Sequence, residues 1–324
     1  MRRIVIILTI SASLYPCFAG INGSVRIAAI RVSFLADDSP GTTGNGSFLL
    51  NAPIDTCGRY TIDPVPHDRS YFESQLVAVN NYYRSVSYGK FGLDLDQSIV
   101  FPFSVENSYV LPEKMDYYHP YNQTDLHDQR VTELLRDAIE TAYNDDEIDF
   151  SNYDHVVIFH AGIGQDFSLP FLDPTPEDIP STFIDGDMLQ EFVGGMLQFG
   201  TATINQGIIL PETQNHLFYQ ESENIFLDTE EPCDYQYGLT GTFALMLGFA
   251  IGLPPLWDTN SGQSGIGIFG LMDQGSNNGR GLIPAPPDAW SRKFAGWELP
   301  LIAMPSKMIN LPSRSEDNLV QINQ

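Results

Sequence analysis

The side chains that could hold a metal ion are scattered along this sequence. Zinc is held by nitrogen, sulfur or carboxylate ligands, and two histidines four residues apart place both rings on one helix face. His155 and His160 lie on a predicted strand at a spacing that directs them to opposite faces. His216 precedes Glu221 at a spacing that fits neither a helix nor a strand pair. The other histidines are His67, His119 and His127, and we predict no metal site from the set.

The sequence does not indicate nucleophilic catalysis either. It contains no G-x-S-x-G motif, and no recognisable motif surrounds Cys57. Cys57 and Cys233 are the cysteines that remain once a predicted leader peptide is removed. Export would allow them to form a disulfide, and the alternative is a pair of unpaired buried thiols.

The C-terminal half is dominated by one apolar segment. Residues 243–251 (FALMLGFAI) are apolar on every face, which predicts a helix that is buried on all sides. Gly252 fits the left-handed residue that ends such a helix, and Pro254 prevents its continuation. The run GIGIFGLMD follows at residues 265–273, and Trp290 and Trp297 come later in the chain.

This order of motifs resembles the M6, or immune inhibitor A-like, family of secreted zinc metallopeptidases. The stretches GLPPLWDT, GIGIFGLMDQGS and APPDAWSRKFAGW match the family in order and spacing, and YYRSVSYGKFGL, LLRDAIETA, IDFSNYD and IFHAGIG are also similar. The resemblance covers residues 25–300. It implies a zincin- or metzincin-like fold with a twisted mixed sheet, a buried central helix at the former active site, and a Met-turn at Met272.

The sequence departs from the family at the positions that would perform the chemistry. Aligned on the GLP of residues 252–254, the two helical zinc ligands fall on Leu245 and Phe249, and the general base falls on Met246. The third ligand position falls on Pro255. Leucine and phenylalanine offer no donor atom, methionine has no useful pKa, and proline offers only its carbonyl. The resemblance thus implies zinc, but the ligands and the base are missing.

These apolar residues make physical sense as a set. A single ligand left without its metal would be a buried polar group with no partner, which costs about 1–3 kcal/mol. We therefore interpret Leu245, Met246 and Phe249 as a former active-site cleft repacked as core, and Met272 as a packing residue. In the family, the end of one strand borders the peptide cleft. The matching residues here are predicted to be an exposed edge strand that could pair with an extended peptide: Ile208, Ile209, Leu210 and Glu212.

Helices alternate with strands along the chain, which predicts an α/β (α+β) fold. We expect a strand over residues 25–35, a helix that starts with a Ser70/Glu73 capping box and ends at Gly89, and one or two strands over residues 91–103. A second helix over residues 125–143 and a buried strand over residues 155–160 follow.

The ends of the chain predict its organisation and location. Arg2, Arg3, an apolar run and Cys17-Phe18-Ala19 fit a signal peptide over residues 1–19, with a lipoprotein cleavage box as the alternative. Residues 20–300 are the predicted peptidase-like domain, and residues 301–324 the truncated start of a β-rich region. The protein is therefore expected to be secreted or at the cell surface, with no later segment long and apolar enough to span a membrane.

The net charge of −25 argues against nucleic acid as a partner, because an acidic surface repels a phosphate backbone. It permits calcium binding. The acidic segment over residues 221–234 is best interpreted as a solvated loop, with a calcium loop as the alternative.

Together these features predict an exported, catalytically inactive peptidase-like protein that binds a protein or peptide partner or has a structural role. The enzymatic alternative is an active secreted zinc metallopeptidase with non-standard ligands. A third hypothesis is a spacer with no partner of its own. A concave groove free of bulky filling would favour binding, whereas a flat closed surface would favour the spacer.

Overall fold

The computed structural model describes residues 20–51, 62–166, 173–219, 232–259, 261–303 and 320–322. The predicted signal peptide, Cys57 and most of the acidic segment over residues 221–234 lie outside these ranges. The prediction of a mixed α and β fold with a mixed sheet is confirmed. The disulfide, the calcium loop and the domain boundaries stay predictions.

The described helices are α1 (Arg69–Val86), α2 (Met115–Tyr118), α3 (His127–Asp146), α4 (Gly186–Phe192), α5 (Leu239–Ala250) and α6 (Ala289–Phe294). The described strands are β1 (Gly23–Val25), β2 (Ile27–Ser33), β3 (Phe91–Leu93), β4 (Ile99–Phe101), β5 (Tyr109–Val110), β6 (His155–Ile163), β7 (Thr182–Ile184), β8 (Leu197–Phe199), β9 (Ala202–Ile204), β10 (Gly207–Thr213), β11 (His216–Tyr219), β12 (Pro232–Tyr235), β13 (Leu301–Ala303) and β14 (Val320–Ile322).

The largest sheet has the strand order β4-β2-β6-β10-β7, and β5 extends the row by pairing with the end of β2. All pairs are parallel except β10 with β7, which is antiparallel. Every residue of β2 and β10 is buried, so both faces of this sheet are covered, as their continuous apolar runs require. On one face, Phe159 of β6 packs against Phe72 of α1 and Phe243 of α5.

The strand that was predicted to be an exposed edge has neighbouring strands on both sides at Ile208 and Ile209. Ile208 and Ile209 of β10 pair with β6 on one side and with β7 on the other. Pro211 lies beside a register shift in the β10–β6 pairing. Proline is tolerated in a sheet at such an irregularity, so Pro211 lies within β10.

The first long helix begins differently from the predicted capping box. Asp68 is the N-cap of α1, and its Oδ1 accepts hydrogen bonds from the amides of Ser70 and Tyr71 at 2.9 and 3.2 Å. Glu73 forms an ion pair with Arg69 at 2.9 Å instead of reaching back to the cap. Aspartate is as good a cap as serine, and here it lies two residues earlier in the chain.

The first described residues lie against the segment after α6. The Ile21 amide donates to the Ala295 carbonyl at 2.8 Å, and the Trp297 indole donates to the Ile21 carbonyl at 2.6 Å. Trp297 is buried and packs against Tyr83 of α1 and Phe91 of β3. These contacts join the segments around Ile21 and Trp297 to α1, which packs against α5.

Candidate functional site

Helix α5 carries Leu245, Met246 and Phe249, the positions predicted to match the zinc ligands and base, and one of its faces is open. Phe243, Ala244 and Leu247 are fully buried. Leu245, Met246 and Phe249 are only half-buried, so the prediction of a helix covered on all sides is wrong for this face. An all-apolar sequence indicates that each side chain favours burial, but it does not indicate whether a neighbouring segment covers that side chain. Pro255, the fourth predicted position, is exposed beyond the end of the helix.

A cleft of about 240 Å³ lies over this open face. Leu245 and Met246 line it together with residues from three loops, including Asp166, Trp257, Asp273 and Asn277. The interpretation of a cleft repacked as core is therefore wrong in one respect. The apolar side chains contribute lining to a depression and do not fill it.

Phe249 forms the edge of this apolar surface. Its ring stacks on Phe183 at 6.0 Å and meets Trp257 edge-on at 5.4 Å. Trp257 is in turn positioned by a backbone bridge to Ser264. The position that matches the second zinc ligand is thus part of an aromatic cluster that supports one wall of the cleft.

Met272 packs beneath the same helix. It is fully buried, and its carbonyl accepts a hydrogen bond from the Leu256 amide at 2.9 Å. A Cβ added at Gly248 would lie 2.7 Å from the Met272 sulfur, so the glycine allows the two segments to approach. Gly241, one turn before Leu245, likewise allows α5 to approach the segment that carries Ser276. A Cβ at Gly241 would lie 2.0 Å from the Ser276 carbonyl oxygen.

Asp273 organises the loop wall of the cleft. Its Oδ2 accepts hydrogen bonds from the amides of Gly265, Ile266 and Gly267 at 2.9, 2.7 and 2.7 Å, and from the Ser264 hydroxyl at 2.9 Å. Burial would raise the pKa of the Asp273 carboxyl, but these donors outweigh burial and hold the pKa below its ordinary value. Asp273 is therefore ionised and fully engaged with its own loop.

Asp166 faces the cleft after the end of β6. Its carboxylate accepts from the Ser181 amide at 3.0 Å, from the Ser181 hydroxyl at 2.8 Å, and from the Gln214 side-chain amide. Burial raises the pKa of Asp166 above its ordinary value in spite of these donors. The Gln214 Oε1 atom is buried with no hydrogen-bond donor. Sequence reasoning missed Asp166, since a single aspartate in a loop carries no signal.

The strand residues predicted to border a peptide are inside the fold. Ile208, Ile209 and Leu210 are fully buried. Glu212 is buried as well, and its two carboxylate oxygens accept from the Leu49 and Gly162 amides, each at 2.9 Å. Glu212 thus joins segments of the core and does not face a peptide groove.

A buried polar network links Glu212 to the start of α5. The Glu212 carboxylate lies 3.0 Å from His67 Nδ1, and His67 Nε2 lies 2.9 Å from the Asp63 carbonyl oxygen. The Asp63 carboxylate accepts from the Leu239 amide at 2.7 Å, at the first turn of α5. The network therefore fixes the helix that forms the floor of the cleft.

The residues at the cleft do not fit a zinc site. Leu245, Met246 and Phe249 supply no nitrogen, oxygen or thiolate, and within the described ranges no group of three His, Cys, Asp or Glu side chains could hold a metal ion. Asp166 and Asp273 are titratable residues among the described lining of the cleft, and each is engaged by protein donors.

Comparison with known proteins adds no family to these observations. No protein-family model matches the chain, and no curated protein matches it. Among the described helices, none is long and apolar enough to cross a membrane.

Proposed function

We propose that this chain is an exported, M6-peptidase-like protein that has no peptidase activity and binds a polypeptide segment in the cleft over α5. The observation that carries the proposal is the open apolar face of α5 at Leu245 and Met246. Three motifs around this helix resemble the peptidase family in order and spacing, whereas the residues that would bind zinc and activate water do not. The predicted leader over residues 1–19 supports export.

The chemistry of the cleft argues against peptide hydrolysis. Metal-assisted hydrolysis needs a cation that lowers the pKa of a bound water and a base that accepts its proton. Leu245 and Phe249 offer no ligand atom, and Met246 offers no base. The Asp273 carboxylate already accepts hydrogen bonds from three backbone amides, so it is not available as a replacement base.

The shape and lining of the cleft favour binding over a spacer role. A spacer has no need of a concave site, whereas partly exposed apolar side chains in a concave site are typical of ligand pockets. Here Leu245, Met246 and Trp257 line such a depression with Gln274 and Asn277, which offer polar groups at its wall. Apolar area combined with a few polar groups is typical of ligand sites.

Two measurements on the purified chain test the proposal. We expect substoichiometric zinc by elemental analysis and no chelator-sensitive casein hydrolysis. Stoichiometric zinc with turnover that a chelator abolishes would overturn the proposal in favour of an active peptidase.

Binding is tested with random blocked hexapeptide pools and a cleft-filling variant. We expect Met246→Lys to abolish the binding that the native chain shows. The matched control is Val77→Lys, which adds the same side chain at a 43 % exposed position on α1 and should leave binding unchanged. Equal binding by the native chain and Met246→Lys, or none by either, would refute a peptide site in this cleft.

A further inference from the structure

We propose that the segment bound in the cleft presents an arginine or lysine side chain, whose stem lies on Leu245, Met246 and Trp257 and whose cation meets Asp166. This inference rests on the proposed function, and it specifies which class of side chain the cleft binds. It follows from the charge of the lining, the lone-pair site that the Asp166 carboxylate has left for a donor, and the size of the cleft.

The described part of the cleft lining carries negative charge. Asp166 and Asp273 both belong to it, and no lysine, arginine or histidine is among the described residues that line the cleft. The whole chain has a net charge of −25, so its long-range field also attracts cations and repels acidic segments. An acidic or neutral side chain would gain nothing from this field, whereas a basic one would be concentrated at the cleft.

Asp166 has acceptor capacity left for a ligand. A carboxylate offers about four lone-pair sites, and three donors from Ser181 and Gln214 occupy Asp166. None of the ion pairs among the described residues involves Asp166. Because a guanidinium or ammonium group supplies several donors, it could satisfy the free acceptor and compensate the charge.

Asp273 has a different role from Asp166. Its Oδ2 already accepts three backbone amides and one hydroxyl, and its Oδ1 accepts the Gln274 amide at 2.9 Å. Five protein donors thus already stabilise the Asp273 charge, whereas three stabilise that of Asp166. This leaves Asp166 as the carboxylate that recognises the cation.

The remaining lining suits the stem of a basic side chain. Lysine and arginine carry three or four methylene groups that pack on apolar surface while the charged end reaches a polar group. Leu245 and Met246 supply that surface, and Trp257 adds an aromatic ring on which a cation is stabilised. At about 240 Å³ the cleft is below the usual range for drug-sized ligands, so it accommodates one side chain of the partner.

The test uses four blocked hexapeptide pools that differ only at one fixed position, which is Arg, Lys, Leu or Glu. Binding to the full chain is measured by calorimetry at two salt concentrations. We expect the Arg and Lys pools to bind at least tenfold more tightly than the Leu pool, with a preference that weakens at high salt. Binding of the Glu pool should be undetectable.

Asp166→Asn is expected to reduce the preference for Arg over Leu about tenfold while leaving binding of the Leu pool unchanged. Asp187→Asn, at an exposed position on α4, removes the same charge away from the cleft lining and should preserve the preference. Trp257→Leu provides a second test that does not depend on Asp166. It should lower the preference for Arg several-fold.

The outcomes separate the two proposals. Equal affinity for the Arg and Leu pools in the native chain would overturn the inference of a basic ligand and leave a peptide-binding cleft. An unchanged preference in both Asp166→Asn and Trp257→Leu would also overturn it. No binding of any pool would refute the proposed function and the inference together.

Discussion

His67 Nδ1 lies 3.0 Å from the Glu212 carboxylate, and both side chains are buried. His67 belongs to the segment before α1, and Glu212 lies near the end of β10. A buried polar pair of this kind is costly to break from one side only, because the remaining partner is left uncompensated in a medium of low polarity.

Glu212→Ala should therefore lower the free energy of unfolding by about 3–5 kcal/mol. Urea denaturation followed by circular dichroism measures this loss. The comparison is Glu73→Ala, which removes the Arg69–Glu73 ion pair on the surface of α1 and should cost less than about 1 kcal/mol. A Glu212→Ala cost as small as that of Glu73→Ala would contradict a structural role for the buried pair.

The same pair should make stability depend on pH. Burial alone would lower the pKa of His67, but the hydrogen bond and charge of Glu212 outweigh burial and raise it above the ordinary value. The stabilisation from a protonated His67 is then complete below about pH 6.5 and is lost as pH rises through the higher pKa of the folded state. In a double-mutant cycle with His67→Gln and Glu212→Gln, the coupling energy should be larger at pH 6 than at pH 9.

Asp178 should produce a second pH effect. It is fully buried and accepts from the Thr43 amide at 2.7 Å and from the Thr43 hydroxyl at 2.6 Å. Burial outweighs these donors and raises the pKa of Asp178 to about 7. Because the folded state holds the proton more tightly than the unfolded state does, this group makes stability fall as pH rises from about 4 to 7.

Asp178→Asn should remove that dependence. As pH rises over this range, the unfolding free energy of the native chain should fall relative to that of Asp178→Asn by an amount on the order of a few kcal/mol. The difference between the two should level off above about pH 8. Denaturation curves at pH 4, 6 and 8 provide the measurement. A difference that is constant over the three pH values would show that Asp178 does not titrate as described.

Gly241 lies at a close approach between α5 and the loop that walls the cleft. Replacing glycine by alanine inside a helix normally gains up to about 1 kcal/mol, but a Cβ here would lie 2.0 Å from the Ser276 carbonyl oxygen. Gly241→Ala should therefore destabilise the fold by about 1–3 kcal/mol. Gly186→Ala in α4, where the nearest atom is 3.6 Å away, should be neutral or slightly stabilising. A drop in melting temperature for both variants would argue against a specific close approach.

The resemblance to the zinc peptidases predicts a gain of function. Leu245→His, Met246→Glu, Phe249→His and Pro255→Asp combined should give a chain that binds one zinc ion, because two histidines one turn apart on α5 present both rings on one face. Elemental analysis of the purified variant measures the zinc. The control carries Phe249→Gln in place of Phe249→His and should bind far less. A folded variant that takes up no zinc would contradict the alignment.

Local sequence signals located the central strands and the long helices. The apolar runs of β2 and β6 and the helical spacing of α1 and α3 predicted these elements, whereas short elements such as α2 and β7 carry no comparable pattern. The start of α1 was placed on Ser70 because Asp68 and Ser70 are equally good caps, and only the tertiary path of the chain selects between them.

The candidate site was predictable only in part. The sequence identified Leu245, Met246 and Phe249 as the residues at issue, but not that their face of α5 stays open. That openness depends on where distant loops pass, such as the one that carries Trp257. Asp166 reaches the cleft through the pairing of β6 with β10, a relationship with no signature in the few residues around it.

The bonds from Ile21 to Ala295 and Trp297 have a consequence for how this body can be joined to other chains. Ile21 and Trp297, which lie close to the predicted ends of the peptidase-like domain, are neighbours in space and are tied by the Trp297 indole. A domain whose ends meet can be inserted into a loop of a host protein without stretching that loop, or be circularly permuted through a short linker. The cleft over α5 would then be carried as a self-contained module, provided both tied ends are kept.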